Sequence, residues 1–291
     1  MCSTIALAPS LEEEVAPVTA DFYRRALRVL VGAEIPFLVG GAFAHACFTG
    51  IRRSTKDLDL FIRRQDYDRI VELMHAEGWR TDLAYPHWLA KVHAGEDFID
   101  LIFNSGNGLT PVDDRWFEDN AWADVLGVPV RVANMEDGML SKAFIMERER
   151  YDGADVAHLL QANAERVDWP RLVERFGNHW RVLLAHLTLF GYIYPGERHR
   201  VPSWVMDRLT ERLRQETAQP PAADGRVCAG TLLSREQYLH DVEQLGYTDG
   251  RLTPASTMSE DDVAAWTDAI PSRQCALVKD LPALAAKPLH E

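Results

Sequence analysis

The stretch that most constrains this chain runs from Phe37 to Ile62. It reads Phe-Leu-Val-Gly-Gly at 37–41, then Arg-Arg-Ser-Thr-Lys-Asp-Leu-Asp-Leu-Phe at 52–61. This order predicts a strand, a diglycine turn, a short helix and a second strand. Alternate side chains of a strand share a face, so Asp57 and Asp59 point one way while Leu58, Leu60 and Ile62 point the other. One face belongs to a core, and the other presents two carboxylates. Carboxylates held close together repel and raise each other's pKa unless something positive sits between them. A hard divalent cation such as Mg2+ meets that need, held by one or two carboxylates and completed by waters and substrate phosphates.

The rest of the chain narrows the setting. A length of 291 residues leaves room for one large domain or two ordinary ones. Hydrophobic content of 47% with 26% charged residues is that of a soluble globular protein. No apolar run approaches the roughly 20 residues that span a bilayer. The first residues lack a basic region and run into Glu12-Glu-Glu14, a poor secretory signal. Cys2, Cys47, Cys228 and Cys275 lie far apart without a CxxC pair, so neither a zinc site nor a disulfide framework is expected, and a reducing cytoplasm fits best. A net charge of −13 argues against broad binding to a nucleic-acid backbone. It leaves room for a local basic pocket, and Arg52, Arg53 and Lys56 are the densest cluster beside the acidic pair.

Along the chain, residues 1–17 read as loose, and Thr19 as the cap of a helix over 20–30. A strand over 35–39, a helix from the diglycine to Phe48, the acidic strand over 57–62 and a helix over 66–76 follow. Strands are predicted over 79–84, 88–92 and 98–103, with a hairpin over 123–132. Asp100 is a lone carboxylate in the apolar run Phe98–Phe103, costly unless it is metal-bound or paired with a buried Arg or Lys. From Met135 the period turns helical, with Lys142 inside the first helix. Further helices are expected near 156–160 and over 170–176, 180–191 and 204–216, then a linker over 217–225. Ser234 should cap a helix running to Leu245, and a last helix lies near 261–266. Asp152 and Asp155 read most simply as helix-start residues, His45 as a packing residue, and the tryptophans as core. An α/β front half followed by a helical back half creates a cleft where a ligand can bind.

Gly40-Gly41, Asp57-x-Asp59 and Asp100, in that order, resemble the signature of the polymerase-β-type nucleotidyltransferase superfamily. The form Gly-Gly … Arg-x-Ser-Thr-Lys-Asp-Leu-Asp is most similar to bacterial stand-alone members, including the abortive-infection nucleotidyltransferase toxins. Lys142 and the segment from Arg148 to Asp155 fit the same group, and the likeness spans roughly residues 35–160. The 15 residues between Gly41 and Asp57 make a longer connection than in the most compact members.

The resemblance implies an α+β fold, with an N-terminal nucleotidyltransferase-like mixed β-sheet flanked by helices and then a helical C-terminal region. The corresponding division is a catalytic part over 1–133, a helical part closing the cleft over 134–217, and a linker, short helix and irregular tail over 218–291. It further implies that Asp57, Asp59 and Asp100 are catalytic and hold two Mg2+ ions, with Mn2+ as a substitute. Gly40, Gly41, Arg53, Thr55, Lys56 and Lys142 would bind the nucleotide, with glycine backbone approaching the phosphates. The partners are an NTP donor such as ATP and a hydroxyl acceptor: a small molecule, a protein or an RNA end. Two other readings stand beside this one. The chain could be a non-catalytic nucleotide- or partner-binding member, such as one half of a toxin–antitoxin pair. It could also be a glycosyltransferase whose Asp-x-Asp holds a metal on a sugar nucleotide.

Overall fold

The computed structural model describes residues 15–53, 55–220 and 225–271. Its centre is a mixed sheet of five strands in the order β1-β2-β5-β4-β3. The strands are β1 (Leu38–Val39), β2 (Asp57–Phe61), β3 (Arg80–Tyr85), β4 (Leu89–Ala94) and β5 (Asp97–Ile102). β2 and β5 run parallel and the other neighbours antiparallel. Leu58, Leu60, Ile62, Ile99 and Leu101 are fully buried, so the apolar face of both central strands lies in the core as the alternation predicts.

Helices α1 (Pro17–Gly32), α2 (Gly41–Thr49) and α3 (Tyr67–Ala76) accompany this sheet, and the hairpin β6 (Trp122–Val125)–β7 (Val128–Arg131) extends the same core. α1 starts at Pro17, whose fixed φ suits a first helical position. The expected Thr19 cap does not form; its hydroxyl donates to Asp97 at 2.8 Å. β1 is only two residues long, because the chain from Ile35 reaches the sheet edge late, and the main-chain N–H of Ala133 joins it at Val39 (2.9 Å).

A second core lies among α4 (Met135–Ala143), α5 (Gly153–Asn163), α6 (Trp169–Phe176), α7 (Trp180–Ile193) and α8 (Ser203–Ala218). Phe48 at the end of α2 packs against both cores. Met146 lies beyond α4 in a short bridge to Tyr151. Trp116 and Trp180 are core residues, whereas Trp122 and Trp204 are about 40% exposed and depart from that expectation. Four residues of the expected linker, 221–224, lie outside the described residues.

The last segment carries β8 (Val227–Cys228), α9 (Leu239–Glu243), β9 (Thr248–Asp249) and α10 (Glu260–Asp268). The Ser234 hydroxyl does accept the Gln237 N–H at 3.1 Å, yet only turns follow until α9. Contacts made by this segment, described below, outweigh its helical propensity. Ser259 and Asp262 form a reciprocal capping box that starts α10. Among the described residues no helix is long and apolar enough to cross a membrane.

Candidate active site

The register of the two parallel strands sets Asp59 directly beside Asp100, with Asp57 two residues before Asp59 on the same face. One carboxylate oxygen from each of the three lies within 4.8 Å of the others. The Thr55 hydroxyl donates to Asp57 at 2.8 Å and fixes that carboxylate. On the other side, β4 brings Lys91 opposite Asp100, with Nζ 2.5 Å from the Asp100 carboxylate. The pairing of Asp100 with a lysine, one of the two resolutions open to a lone buried acid, is therefore present. It leaves Asp57 and Asp59 without a comparable direct ion pair among the described residues.

The electrostatics follow from that imbalance. Burial, then the charges of Asp57 and Asp100, push the Asp59 carboxyl up to about 7. Burial also raises Asp100 despite the Lys91 hydrogen bond. Three hard oxygen donors that cannot all be ionised comfortably form a donor set suited to a divalent cation such as Mg2+.

Gly40 and Gly41 begin α2 against this cluster. The Gly40 N–H donates to the Asp59 carbonyl at 2.9 Å. Gly41 has φ +53°, and a Cβ there would fall inside the Asp59 carboxylate. The diglycine thus lets a helix N-terminus stand directly on the acidic strand, where its free N–H groups favour an anion.

Across the cleft α4 supplies Lys142, and α5 supplies the acid Asp155 that holds it. Lys142 Nζ lies 2.7 Å from Asp155 and 3.4 Å from Asp152, and Arg53 also bonds Asp155. Burial pushes the Asp155 carboxyl up, but the hydrogen bond and charge of Lys142 outweigh it and the net pKa is lowered. Asp155 is therefore more than a helix-start residue; it holds two of the predicted phosphate ligands. Arg150, which sequence reasoning did not single out, pairs with Asp152 at 2.8 Å, and its charge acts on Asp59. His45 on α2 is buried; that burial lowers its pKa to about 4 and keeps the imidazole neutral.

These groups line one cavity of about 970 Å³ between the sheet and the helical half. Gly40, Gly41, Arg53, Thr55, Asp57, Asp59, Asp100 and Lys142 all reach it. Lys56 does not: its side chain is exposed and stands outside the cavity wall, while its carbonyl accepts from Tyr23. The volume is at the upper end for a ligand pocket.

One test of the electrostatics needs no nucleotide. An ordinary aspartate titrates near 3.8 and Asp59 near 7, so between those values the folded state keeps a proton that the unfolded chain has lost. Folding is weakened as pH rises through that window, and the full cost stands above it. Asp59→Asn is expected to raise the melting temperature of the metal-free protein by about 3–6 °C at pH 8 and by little at pH 4. Melting curves across that range check this, and a gap independent of pH would remove the charge as its source.

The family to which the sequence belongs makes the chain a nucleotidyltransferase, the class of enzyme that moves a nucleoside monophosphate from an NTP. The family model described as an uncharacterised nucleotidyltransferase matches residues 26–189, more than half of the chain, and the chain belongs to that family. No curated protein matches it in sequence. Similar solved structures include the antibiotic-resistance factor ANT(2″)-Ia, at 16% identity and a TM-score of 0.41, covering 59% of this chain and 98% of that one. The lincosamide antibiotic adenylyltransferase LnuA, solved with lincomycin, has 13% identity and a TM-score of 0.38, covering 51% and 99%. JHP933 from Helicobacter pylori has 12% identity and a TM-score of 0.32, covering 70% and 98%.

Proposed function

We propose that the protein is a Mg2+-dependent nucleotidyltransferase that passes a nucleoside monophosphate from an NTP to a hydroxyl of a small acceptor and releases pyrophosphate. The observation that carries this reading is the approach of three carboxylates to within 4.8 Å at the start of a diglycine helix, facing Lys142 across the cleft. Asp57, Asp59 and Asp100 would hold the metal, which when bound supplies charge neutralisation and lowers the pKa of a hydroxyl.

The chain's own groups do the rest. The N–H groups at the start of α2 receive phosphate oxygens, and Lys142, Arg53 and Arg150 offset triphosphate charge. For Lys142 and Arg53 this means exchanging an Asp155 oxygen for a phosphate oxygen. The acceptor oxygen bonds to the α-phosphorus, the bond from that phosphorus to the β-phosphate bridge breaks, and pyrophosphate leaves. The acceptor's proton passes to a carboxylate of the cluster.

The reading is tested with NTP labelled at the α- or the γ-phosphate, Mg2+ and a panel of hydroxyl compounds. Label from the α-phosphate is expected in the acceptor, and label from the γ-phosphate in pyrophosphate. Label passing from a sugar nucleotide instead would favour the glycosyltransferase reading. Tight metal-dependent binding with no pyrophosphate from any acceptor would favour a binding protein.

A further inference from the structure

The cavity has a wall that the family-matched residues do not build. Leu232, Leu233, Ser234 and Arg235, with Trp266 of α10, line it from the C-terminal segment, beyond residue 189. This segment is fixed in place. The Met146 N–H donates to the Leu233 carbonyl at 3.0 Å, and the Asn107 amide to the Leu232 carbonyl at 2.7 Å. The Glu147 carboxylate accepts from the Ser234 hydroxyl and from the Arg235 main-chain N–H (3.1 Å). Thr257 bonds Asn104 and Gly108 in the loop that directly follows β5.

That loop places the wall. It continues from the strand carrying Asp100, whereas the diglycine lies across the sheet at β1. Trp266 sits edge-on to Trp88 (centroids 5.3 Å apart), and the Trp88 carbonyl accepts from Phe103, three residues beyond Asp100. Trp266 and the wall it belongs to therefore stand on the β5–β4 side of the carboxylates, whereas the N-terminus of α2 stands on the β1–β2 side.

Arg235 is the charged group of this wall with no carboxylate partner. Its guanidinium carbon lies 4.4 Å from the Trp266 ring, the residue is half-buried, and it forms no ion pair among the described residues. Of the acids that line the cavity beside it, Glu147 is used on the segment's own hydroxyl and N–H groups, and Glu149 pairs with Arg148. Other cations of the cavity, Lys142 and Arg150, are neutralised by Asp152 and Asp155. A guanidinium seated over an indole is restrained by the ring, and its fork of N–H donors matches the paired oxygens of a carboxylate or phosphate. In a chain of net charge −13, an unpaired, half-buried arginine inside a ligand cavity is a departure from the surrounding sign.

We propose that Arg235, seated on Trp266, is an anion-recognition subsite for the acceptor, which is a hydroxyl compound carrying a phosphate or carboxylate group. The proposal rests on the nucleotidyl-transfer reading, since that reading puts the donor triphosphate on the other side of the cavity. The test is calorimetry on the full chain loaded with Mg2+ and a non-hydrolysable NTP analogue, so that the donor site is filled. Inorganic phosphate is expected to bind saturably, at least about ten-fold more weakly to Arg235→Ala, with Arg235→Lys between the two and analogue affinity the same in all three. Glycerol 3-phosphate and glycerate then separate phosphate from carboxylate recognition against neutral glycerol. Phosphate binding that is absent, or equal in wild type and Arg235→Ala, overturns the subsite, as does preferential binding of ethanolamine. Failure of the analogue itself to bind with Mg2+ overturns the underlying reading, and is seen before phosphate is added.

Discussion

Asp59→Asn is expected to reduce nucleotidyl transfer by about 10²–10³-fold, while the protein stays folded. The side chain keeps its shape and loses only its charge and one acceptor oxygen. Asp59 is the middle member of the cluster, beside Asp100 across the strand pair and two residues from Asp57. Removing it leaves the outer pair without the oxygen that joins them into one donor set. Asp100, already bonded to Lys91, is a poorer substitute because its charge is partly neutralised. The same change relieves a carboxylate that burial disfavours, so lower activity should coincide with equal or higher thermal stability at neutral pH. That opposition is the diagnostic part, because a misfolded variant would lose both. The measurement is pyrophosphate release beside a melting curve on one preparation, and activity above a tenth of wild type would move the metal site away from Asp59.

The sequence carried the inner part of this site because its signals are local. Two acids spaced two apart in an apolar run must share a strand face, and a diglycine before a helical pattern marks where a helix can begin on that strand. Asp100 was legible for a similar reason, as a lone charge in Phe98–Phe103. The outer part depends on pairings that no local pattern holds. Lys91 meets Asp100 only because β4 and β5 form a hairpin in one register. A signal did exist, since Lys91 interrupts Leu89-Ala90-Lys91-Val92 as Asp100 interrupts its own strand, and two lone opposite charges in successive apolar strands call for each other. Lys56 shows the converse: it is next to Asp57 in sequence, yet it sits in a bend before β2 with its exposed side chain outside the cavity. The stretch after Ser234 has helical composition, yet the Leu232 and Leu233 carbonyls before it, the Ser234 hydroxyl and the Arg235 N–H are taken by Asn107, Met146 and Glu147 from distant parts of the chain. Tertiary partners decided that segment, and with it the wall bearing Arg235.

Gly41→Ala should lose activity at least as fully as Asp59→Asn, and here stability should fall too. Two costs add at this position. The backbone is at φ +53°, which a residue with a Cβ adopts at a penalty of about 1–2 kcal/mol. The new methyl would also overlap the Asp59 carboxylate, so either α2 lifts off the strand or Asp59 turns out of the cluster. Both movements separate the phosphate-binding N–H groups from the carboxylates, and both destroy the same geometry. Gly50 supplies the control. It closes α2 at φ +71° with open space around the position of its Cβ, so Gly50→Ala bears the backbone penalty alone. It should lower stability by about 1–2 kcal/mol and leave nucleotide-dependent pyrophosphate release within a factor of two or so of wild type. A double change of Gly41→Ala with Asp59→Ala removes the overlap, so the destabilisation from Gly41→Ala should shrink in that background toward the Gly50→Ala value. Strictly additive losses in that cycle would mean that the two residues do not touch, and that the diglycine serves the turn rather than the approach of helix to acid.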